Sequence, residues 1–528
     1  MKDANIVTLY KNKGDKGDCN NYRGISLMSI TGKAFARILL KRLQILAARV
    51  LPESQCGFRS GRSTIDMIFA LRQVQEKCQE QNVPVHIAFV DLTKAFDTVS
   101  RSGLYMVLRK IGCPPTLLQL IISFHDGMKA TVQFDGNTSD PFNIKSGVKQ
   151  GCVLAPTLFS IYFAALLDVA FKDSPGDVYL RWRTDASLFN LARLKSKTKI
   201  STSLIRDLLF ADDAAIVAHD DTVLQDMMNQ LAIACTKFSL VISVKKTVIL
   251  SQGVSQPTTI LLNNNPLEEV VKFTYLGSTV TSSLSLNEEI SMRIGKAATT
   301  FGKLMKRAWN NKMLTTKTKT TIYSACILST LLYGSETWTT YAAQEKRLNI
   351  FHLRCLRKIL GIRWYDRKTN MEVLQEAEMS SITSILCKKR LRWLGHVQRM
   401  EDDRLPKQLL YGELTSGGRK CGRPKMRFKD NCRRDLKRCN IEEGTWTQLA
   451  GNRSDWRTAV LNGVAYLEVD TTNAAEEKRQ RRKEREPPPS DNQSRIRLTC
   501  IHCKRQFKSN IGRVSHERSC QRLVSEDT

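Results

Sequence analysis

No stretch of this 528-residue chain offers eighteen consecutive apolar residues, so no membrane-spanning helix is expected. The opening residues, Met1-Lys2-Asp3-Ala4-Asn5, lack the apolar core of a secretory signal. Internal repeats are missing too. Negative charge is in short supply: 51 Asp plus Glu face 82 Lys plus Arg, a formal net charge of +31. Such a balance points to a polyanionic partner, commonly nucleic acid, with a membrane surface as the weaker alternative. The 15 cysteines follow no disulfide framework. Most fall within apolar periodic segments and read as reduced, buried thiols of an intracellular protein. What the chain does have is 42% hydrophobic residues, enough for real cores, and a length that suits three or four domains.

Helices and strands alternate to about residue 280. A β-like run over 5–10 precedes a polar, glycine-broken loop. Residues 30–49 are helical in pattern, with Phe35, Ile38, Leu39, Leu43 and Leu46 at core spacing. Ser63 can cap a second helix, with Asp66 three residues on and an apolar face of Met67, Ile68, Leu71, Val74 and Cys78. A helix ended by Gly112, a hairpin over 130–145 and a helix from Pro156 to about Phe171 follow. Residues 172–203 read as a polar, irregular insertion. The chain beyond about 280 is helical. A charged run over 476–489, ending in three prolines, reads as a solvated linker.

The chemistry concentrates in acids at strand ends. Asp212 and Asp213 sit between the apolar runs Leu208-Leu209-Phe210-Ala211 and Ala214-Ala215-Ile216-Val217, a layout for strand, tight turn and strand. Asp91 ends the run Val85–Val90. Two carboxylates about 4 Å apart repel by roughly 4 kcal/mol at an effective dielectric of about 20. Such a cluster is tolerable where it holds divalent cations, and two Mg²⁺ about 4 Å apart are the usual clamp for phosphoryl transfer. A surface turn accounts for most isolated acid pairs; the apolar flanks and the third acid favour metal binding. Phe96, five residues after Asp91, reads locally as core packing.

Other candidates are more open. Gln150 lies where a glycine loop enters a helix, a place that suits an anion or is simply a loop. Arg59 and Arg62 bracket Gly61 before a helix and suit either a triphosphate or a solvated basic loop. Cys500-x2-Cys503-x12-His516-x3-Cys520 has zinc spacing throughout. Phe507 offers a small core for such a finger. Arg513 stands where a large apolar residue is usual, leaving Ile511 or Val514 for that role, and Lys504, Arg505, Lys508 and Arg513 suit phosphates. Residues 388–438 carry 17 Lys or Arg against 6 Asp or Glu, with Trp364, Trp393, Trp446 and Trp456 in or near them. Basic residues mixed with aromatics can track a nucleic-acid backbone, and a helical domain with a solvated basic face is the plain alternative. Cys421, Cys432 and Cys439 read as structural.

Seven blocks in order over about 255 residues resemble the reverse transcriptase of non-LTR (LINE-type) retrotransposons. Asn21-Tyr22-Arg23-Gly24-Ile25-Ser26-Leu27 is similar to its first fingers block, with Gly24 in place of proline. Gln55-Cys56-Gly57-Phe58-Arg59 with Gly61-Arg62-Ser63-Thr64 resembles the second. Phe89-Val90-Asp91 with Ala95-Phe96-Asp97, Gly147-Val148-Lys149-Gln150-Gly151-Cys152 and Phe210-Ala211-Asp212-Asp213, where Phe210 replaces tyrosine, resemble the catalytic blocks. Lys246-Thr247 and Tyr275-Leu276-Gly277 resemble the last two.

The resemblance implies an α/β (α+β) right-hand polymerase fold with fingers, palm and thumb. On that basis residues 1–280 are fingers and palm, 281–335 a helical thumb, 336–470 a basic helical C-terminal region, 471–496 a charged linker and 497–521 a C2HC zinc-finger-like tail. It implies an RNA-directed DNA polymerase using Mg²⁺ (or Mn²⁺), dNTPs, an RNA template and a DNA primer or target, with Zn²⁺ in the tail and no membrane partner. Asp91, Asp212 and Asp213 would hold the magnesium, and Lys246 would donate a proton to the pyrophosphate. Phe96 would be the gate against a ribose 2′-OH, against its local reading. Arg59 and Arg62 would meet the triphosphate, and Gln150, Gly151 and Phe210 the nucleotide or template. Related elements carry an upstream endonuclease, for which the expectation here is no room. The expected setting is the nucleus or cytoplasm, as a ribonucleoprotein. A catalytically inactive, truncated remnant that at most binds nucleic acid is the alternative.

Overall fold

The run Val85–Val90 is apolar on both sides of its pleat, and a strand like that must be covered on both faces. In the computed structural model it is the centre of a five-stranded sheet. Asp213–Ala218 pairs antiparallel on one side and Val248–Gln252 antiparallel on the other. Asp207–Phe210 and Glu268–Glu269 form the edges. Period two then sorts the side chains. Ala88, Val90, Ala214, Ile216 and Ile249 face a core built with the helices Ala155–Ala170 and Asp221–Lys237. Val85, Ile87, Phe89, Ala215, Val217 and Leu250 face the helix Thr64–Gln81. The structure describes residues 3–524 except 13, 175, 186, 197, 420, 421, 423, 424, 485–497 and 508; of 518, 519 and 521–524 only the backbone is described. Cys421, Lys508 and the three prolines of the charged run lie outside those residues.

A second sheet joins Ala4–Tyr10 antiparallel to Tyr22–Leu27 and parallel to Lys129–Phe134. The helix Ile30–Val50 buries Ala36, Leu39, Leu43 and Ala47, so the expected stripe is shifted: Ile38 is exposed. The capping box of Ser63 and Asp66 forms as read, and the helix after it buries the expected apolar face. Its polar face is buried as well, which its amphipathic pattern did not suggest. Glu76 accepts from the backbone N–H of Phe428 at 2.8 Å, Lys77 donates to the Gly412 carbonyl, and Gln81 bonds Leu414 and Ser416. Residues 405–436 therefore cover the side of this helix that would otherwise meet water.

The insertion at 172–203 is not irregular throughout. It forms the hairpin Tyr179–Trp182 and Ser201–Leu204, and Glu413–Leu414 adds a third strand. Past 280 the chain is helical as expected, with π-helical stretches at Met305–Trp309 and Tyr323–Leu328. Two compact units divide the molecule, residues 1–468 and 469–528. The expected linker is helical at its start: Arg453–Lys483 is one helix, because Ala474-Ala475-Glu476-Glu477-Lys478 are strong helix formers and Glu477 sits one turn from Arg481. In the second unit the hairpin Leu498–Thr499 and Gln506–Phe507 leads to the helix Asn510–Val524. Among the described residues no helix is long and apolar enough to cross a membrane.

Candidate active site

Antiparallel pairing of Val90 with Ala214 puts Asp91 and Asp213 at neighbouring strand ends, with Asp212 at the tip of the Phe210–Asp213 turn. Burial and the neighbouring acids raise two of the three carboxyls. Asp213 shows surface to solvent, yet the protein packed around it displaces enough water to push its carboxyl up to about 6, with Asp212 and then Asp91 adding to the rise. Burial raises Asp212 too, Asp91 contributes, and Arg23 and Lys246 pull the other way. Lys246 Nζ lies 2.9 Å from Asp91 Oδ1 and is the cation now balancing that acid. The backbone of Asp91 is held by Thr247 Oγ1, which accepts from its N–H, and by the Ser243 N–H, which donates to its carbonyl.

The turn itself is forced. Ala211 has φ +60°, a left-handed conformation uncommon for alanine. Gln55, completely buried, holds it there. Its Oε1 accepts from the Ala211 N–H at 2.9 Å and from the Gly57 N–H at 2.8 Å, while its Nε2 donates to the Ala211 carbonyl at 3.2 Å. Gly57 presses so close that a Cβ there would stand 2.2 Å from the Ala211 nitrogen. The Cys56 N–H donates to the Leu209 carbonyl, and the Leu209 N–H to the Ser54 carbonyl, both at 2.9 Å. Gln55 was visible only as a member of its sequence block; a buried, uncharged amide next to the Gly57 close approach was the signal of a positioning role.

The loop at 147–151 wraps onto the Phe96 turn. The Val148 N–H donates to the Phe96 carbonyl at 2.8 Å and the Gly147 N–H to Val99, and Gly147 at φ +78° has room for no side chain against Asp97. The Gln150 carbonyl accepts from Ser26, and Gly151, at φ +107°, lies against the Ser26 carbonyl. Arg101, missed from sequence, ties the loop by donating to the carbonyls of Gly147, Ser146, Ile144 and His125. Phe96 is half-buried, its ring packed 4.7 Å from that of Phe159. Phe210 ends the edge strand beside Phe58.

Two expected ligands of the substrate are engaged elsewhere. Arg62 forks onto Glu53, at 2.9 and 2.5 Å, and Arg404 joins the same carboxylate at 2.8 Å. Arg59 Nη1 donates to the carbonyls of Pro52 and Gln55. In this arrangement both arginines brace the loop instead of reaching outward, because the C-terminal region supplies Arg404 to a network the local sequence could not reveal. The basic region 388–438 is corrected similarly. Arg390 is buried on Asp435 at 2.6 Å and Lys429 on Glu413, and the half-buried Arg427 pairs with Glu80 and Asp430. Trp393, Trp446 and Trp456 are buried. Much of that charge is internal wiring.

Among the described residues one group of Cys, His, Asp and Glu draws its ligand atoms within 4.8 Å of one another: Cys500, Cys503, His516 and Cys520. That closeness fits a tetrahedral ion with sulfur and nitrogen ligands. Cys503 Sγ is 3.0 Å from His516 Nε2, and Phe507 packs against the His516 ring at 4.9 Å. Ile511 and Val514 do not fill the finger's core; Ile511 is 85% exposed, and Arg513 pairs with Glu517 instead. The three aspartates are not drawn into such a group, and Asp91 is paired with Lys246.

Residues 11–280, just over half of the chain, match the family profile described as reverse transcriptase (RNA-dependent DNA polymerase). The chain is 25% identical over 380 residues to the RNA-directed DNA polymerase from mobile element jockey of Drosophila funebris, and 24% identical over 386 residues to the probable RNA-directed DNA polymerase from transposon BS of Drosophila melanogaster. Each alignment covers 70% of this chain, and the chain spans 39% of the length of those relatives. Among solved structures, an apo telomerase from Candida tropicalis aligns with a TM-score of 0.38 and 12% identity, covering 79% of this chain and 70% of that one. The chain thus belongs to the reverse transcriptase family, with the RNA-directed DNA polymerases of non-LTR retrotransposons as its relatives.

Proposed function

We propose that the chain extends a DNA 3′ end on an RNA template, taking deoxynucleoside triphosphates as substrate. The observation that carries this is the set of Asp91, Asp212 and Asp213 on adjoining strand ends, with a turn held by Gln55. The carboxyls of Asp212 and Asp213, raised first by burial and then by the neighbouring acids, mark a place that favours positive charge, and Lys246, paired with Asp91, supplies part of it. Asp91, Asp212 and Asp213 would hold two Mg²⁺ or Mn²⁺, which would lower the pKa of the attacking hydroxyl and neutralise the leaving pyrophosphate. With that charge supplied, Lys246 would be free of Asp91, its ammonium available to give a proton to the departing group. Phe96, with its backbone bound to the 147–151 loop, crowds the sugar at its 2′ position. Gln150 and Gly151 border the nucleotide. Residues 281–335 act as the thumb, and Zn²⁺ is the ion of the C-terminal cysteine–histidine group.

The test is primer extension on poly(rA)/oligo(dT) with Mg²⁺. Extension that disappears in Asp212→Ala supports the assignment; equal extension by that variant and the parent removes it. A second reading, a nucleic-acid-binding protein without catalysis, is favoured by the Lys246–Asp91 pair, which closes one acid. Tight binding with no extension under either metal selects it.

A further inference from the structure

Of the seven tryptophans, one stands in the open. Trp364 is 90% exposed, whereas Trp309, Trp338, Trp393, Trp446 and Trp456 are buried and Trp182 is half-buried with its Nε1 donating to Ser203. An indole is costly to leave in water, since burying a large apolar side chain is worth roughly 1.5–3 kcal/mol. Nor is Trp364 loose. It opens the short 3₁₀ turn Trp364–Asp366, in which the Asp366 carboxylate accepts from the Arg363 N–H at 2.7 Å. The turn is tied at its other end by Arg357, which donates to Asn370 at 2.8 Å. Tyr365, also exposed, meets the indole edge-on at 6.0 Å, and the Arg363 guanidinium lies 5.9 Å from the centre of the Tyr365 ring.

The surroundings are cationic. Residues 354–368 hold Arg354, Arg357, Lys358, Arg363, Arg367 and Lys368 against the one acid Asp366. On the helix Ala342–Leu360, the residues Lys346, Ile350, Arg354 and Lys358 are all exposed and recur every fourth position, so they line one stripe about 18 Å long that leads to the turn. Lys368 pairs with Glu376, but Lys346, Arg354 and Lys358 of the stripe have no acid partner among the described residues, unlike the buried Arg390, which is spent on Asp435. A row of exposed cations ending at a fixed, open aromatic plane has the two parts that a single strand requires: charge for the backbone and a ring on which a base stacks.

We infer that the Lys346–Lys358 helix stripe and the Trp364 turn form a binding track for single-stranded nucleic acid, with an unpaired base stacked on Trp364. This deepens the nucleic-acid reading above and rests on it for the class of partner. The chemistry is shared by single-stranded RNA and DNA, and parallel arms separate the two.

The experiment uses the full, zinc-loaded chain with no nucleotide and no added Mg²⁺ or Mn²⁺, so that binding is read apart from polymerisation. Unstructured adenine-rich RNA and DNA oligonucleotides and a blunt duplex are titrated, following both oligonucleotide anisotropy and indole emission. Binding to the single strands is expected to quench the emission. Trp364→Ala should abolish the quench and weaken single-strand affinity roughly 5- to 150-fold with the duplex unaffected. Trp364→Phe should recover most of that loss, and Lys358→Gln should lower the salt dependence by roughly one counterion. The side chain is exposed, so the unfolding midpoint should not move. Unchanged single-strand affinity in Trp364→Ala at matched salt overturns the track, as does an equal loss on duplex, which would make the contact one to phosphate alone. Failure of the parent to extend a primer would count against the polymerase assignment and leave this binding result standing.

Discussion

Gln55 shows what one side chain can decide. Its amide meets both backbone groups of Ala211, the residue before the acid pair, and sits where no water can replace it. Gln55→Ala should slow extension about 100-fold, the cost of about 1 Å of misplacement. Template affinity and the KM for nucleotide should hardly change, because the lost interaction acts on the acids alone. Gln55→Glu, which keeps the acceptor but loses the donor, should fall between; a Gln55→Ala enzyme as fast as the parent would make the residue mere filling. Phe96 is to be judged by sugar choice. Phe96→Val should raise ribonucleotide incorporation at least tenfold relative to deoxynucleotide, and an unchanged ratio in single-nucleotide assays would return the ring to its packing on Phe159.

Elements add a titration of their own. His352 lies wholly buried between Tyr323, whose hydroxyl is 2.9 Å from Nδ1, and the Ser380 carbonyl, 3.2 Å from Nε2. The ring fits as the neutral Nε2–H tautomer. Burial pulls its pKa down to about 4, with the Ser380 carbonyl opposing, and burial does the same to His125 on the helix Pro115–His125. A folded pKa below the ordinary 6.5 means the unfolded chain takes up the proton first. Stability from each ring is therefore present above pH 6.5 and lost as pH falls towards 4, by at most about 3 kcal/mol each. Denaturant midpoints measured from pH 7 to 4.5 should fall less steeply in His352→Gln; an identical slope refutes the buried neutral ring. Similarly, Leu71→Ala in the helix Thr64–Gln81, fully enclosed between sheet and C-terminal region, should cost about 2–5 kcal/mol in unfolding free energy.

At the scale of the whole molecule, residues 336–468 are part of the larger unit and not an appended module. They provide Arg404 to Glu53, Phe428 to Glu76 and a strand to the Tyr179–Trp182 hairpin. A chain ended after residue 335 strips the partners from Glu76, Lys77 and Gln81 and uncovers the apolar patch around Phe69. It should lose cooperative unfolding; a truncated chain with the parent's sharp transition would show that the C-terminal region is dispensable. For the smaller unit, metal analysis of the full chain should return one zinc, and Cys503→Ala should return none.

The sequence by itself determined the pieces whose physics is local. Asp91, Asp212 and Asp213 stood out because acids interrupt apolar strands. The Ser63–Asp66 box and the zinc spacing were legible because caps and chelates are fixed by residues a few positions apart. The order of the blocks carried the family. Tertiary structure alone decided where charge and aromatic rings face. Nothing near Arg62 announces Arg404, some 340 residues on, and nothing in the composition separates Trp364 from the tryptophans of the core. Ile38 reads as buried, and the partners of Glu76 stay out of view, because helical periodicity tells which residues share a face but not which faces find a partner. The Lys246–Asp91 pair and the Gln55 clamp also join residues more than 150 positions apart, and a contact of that kind exists only once the sheet has closed.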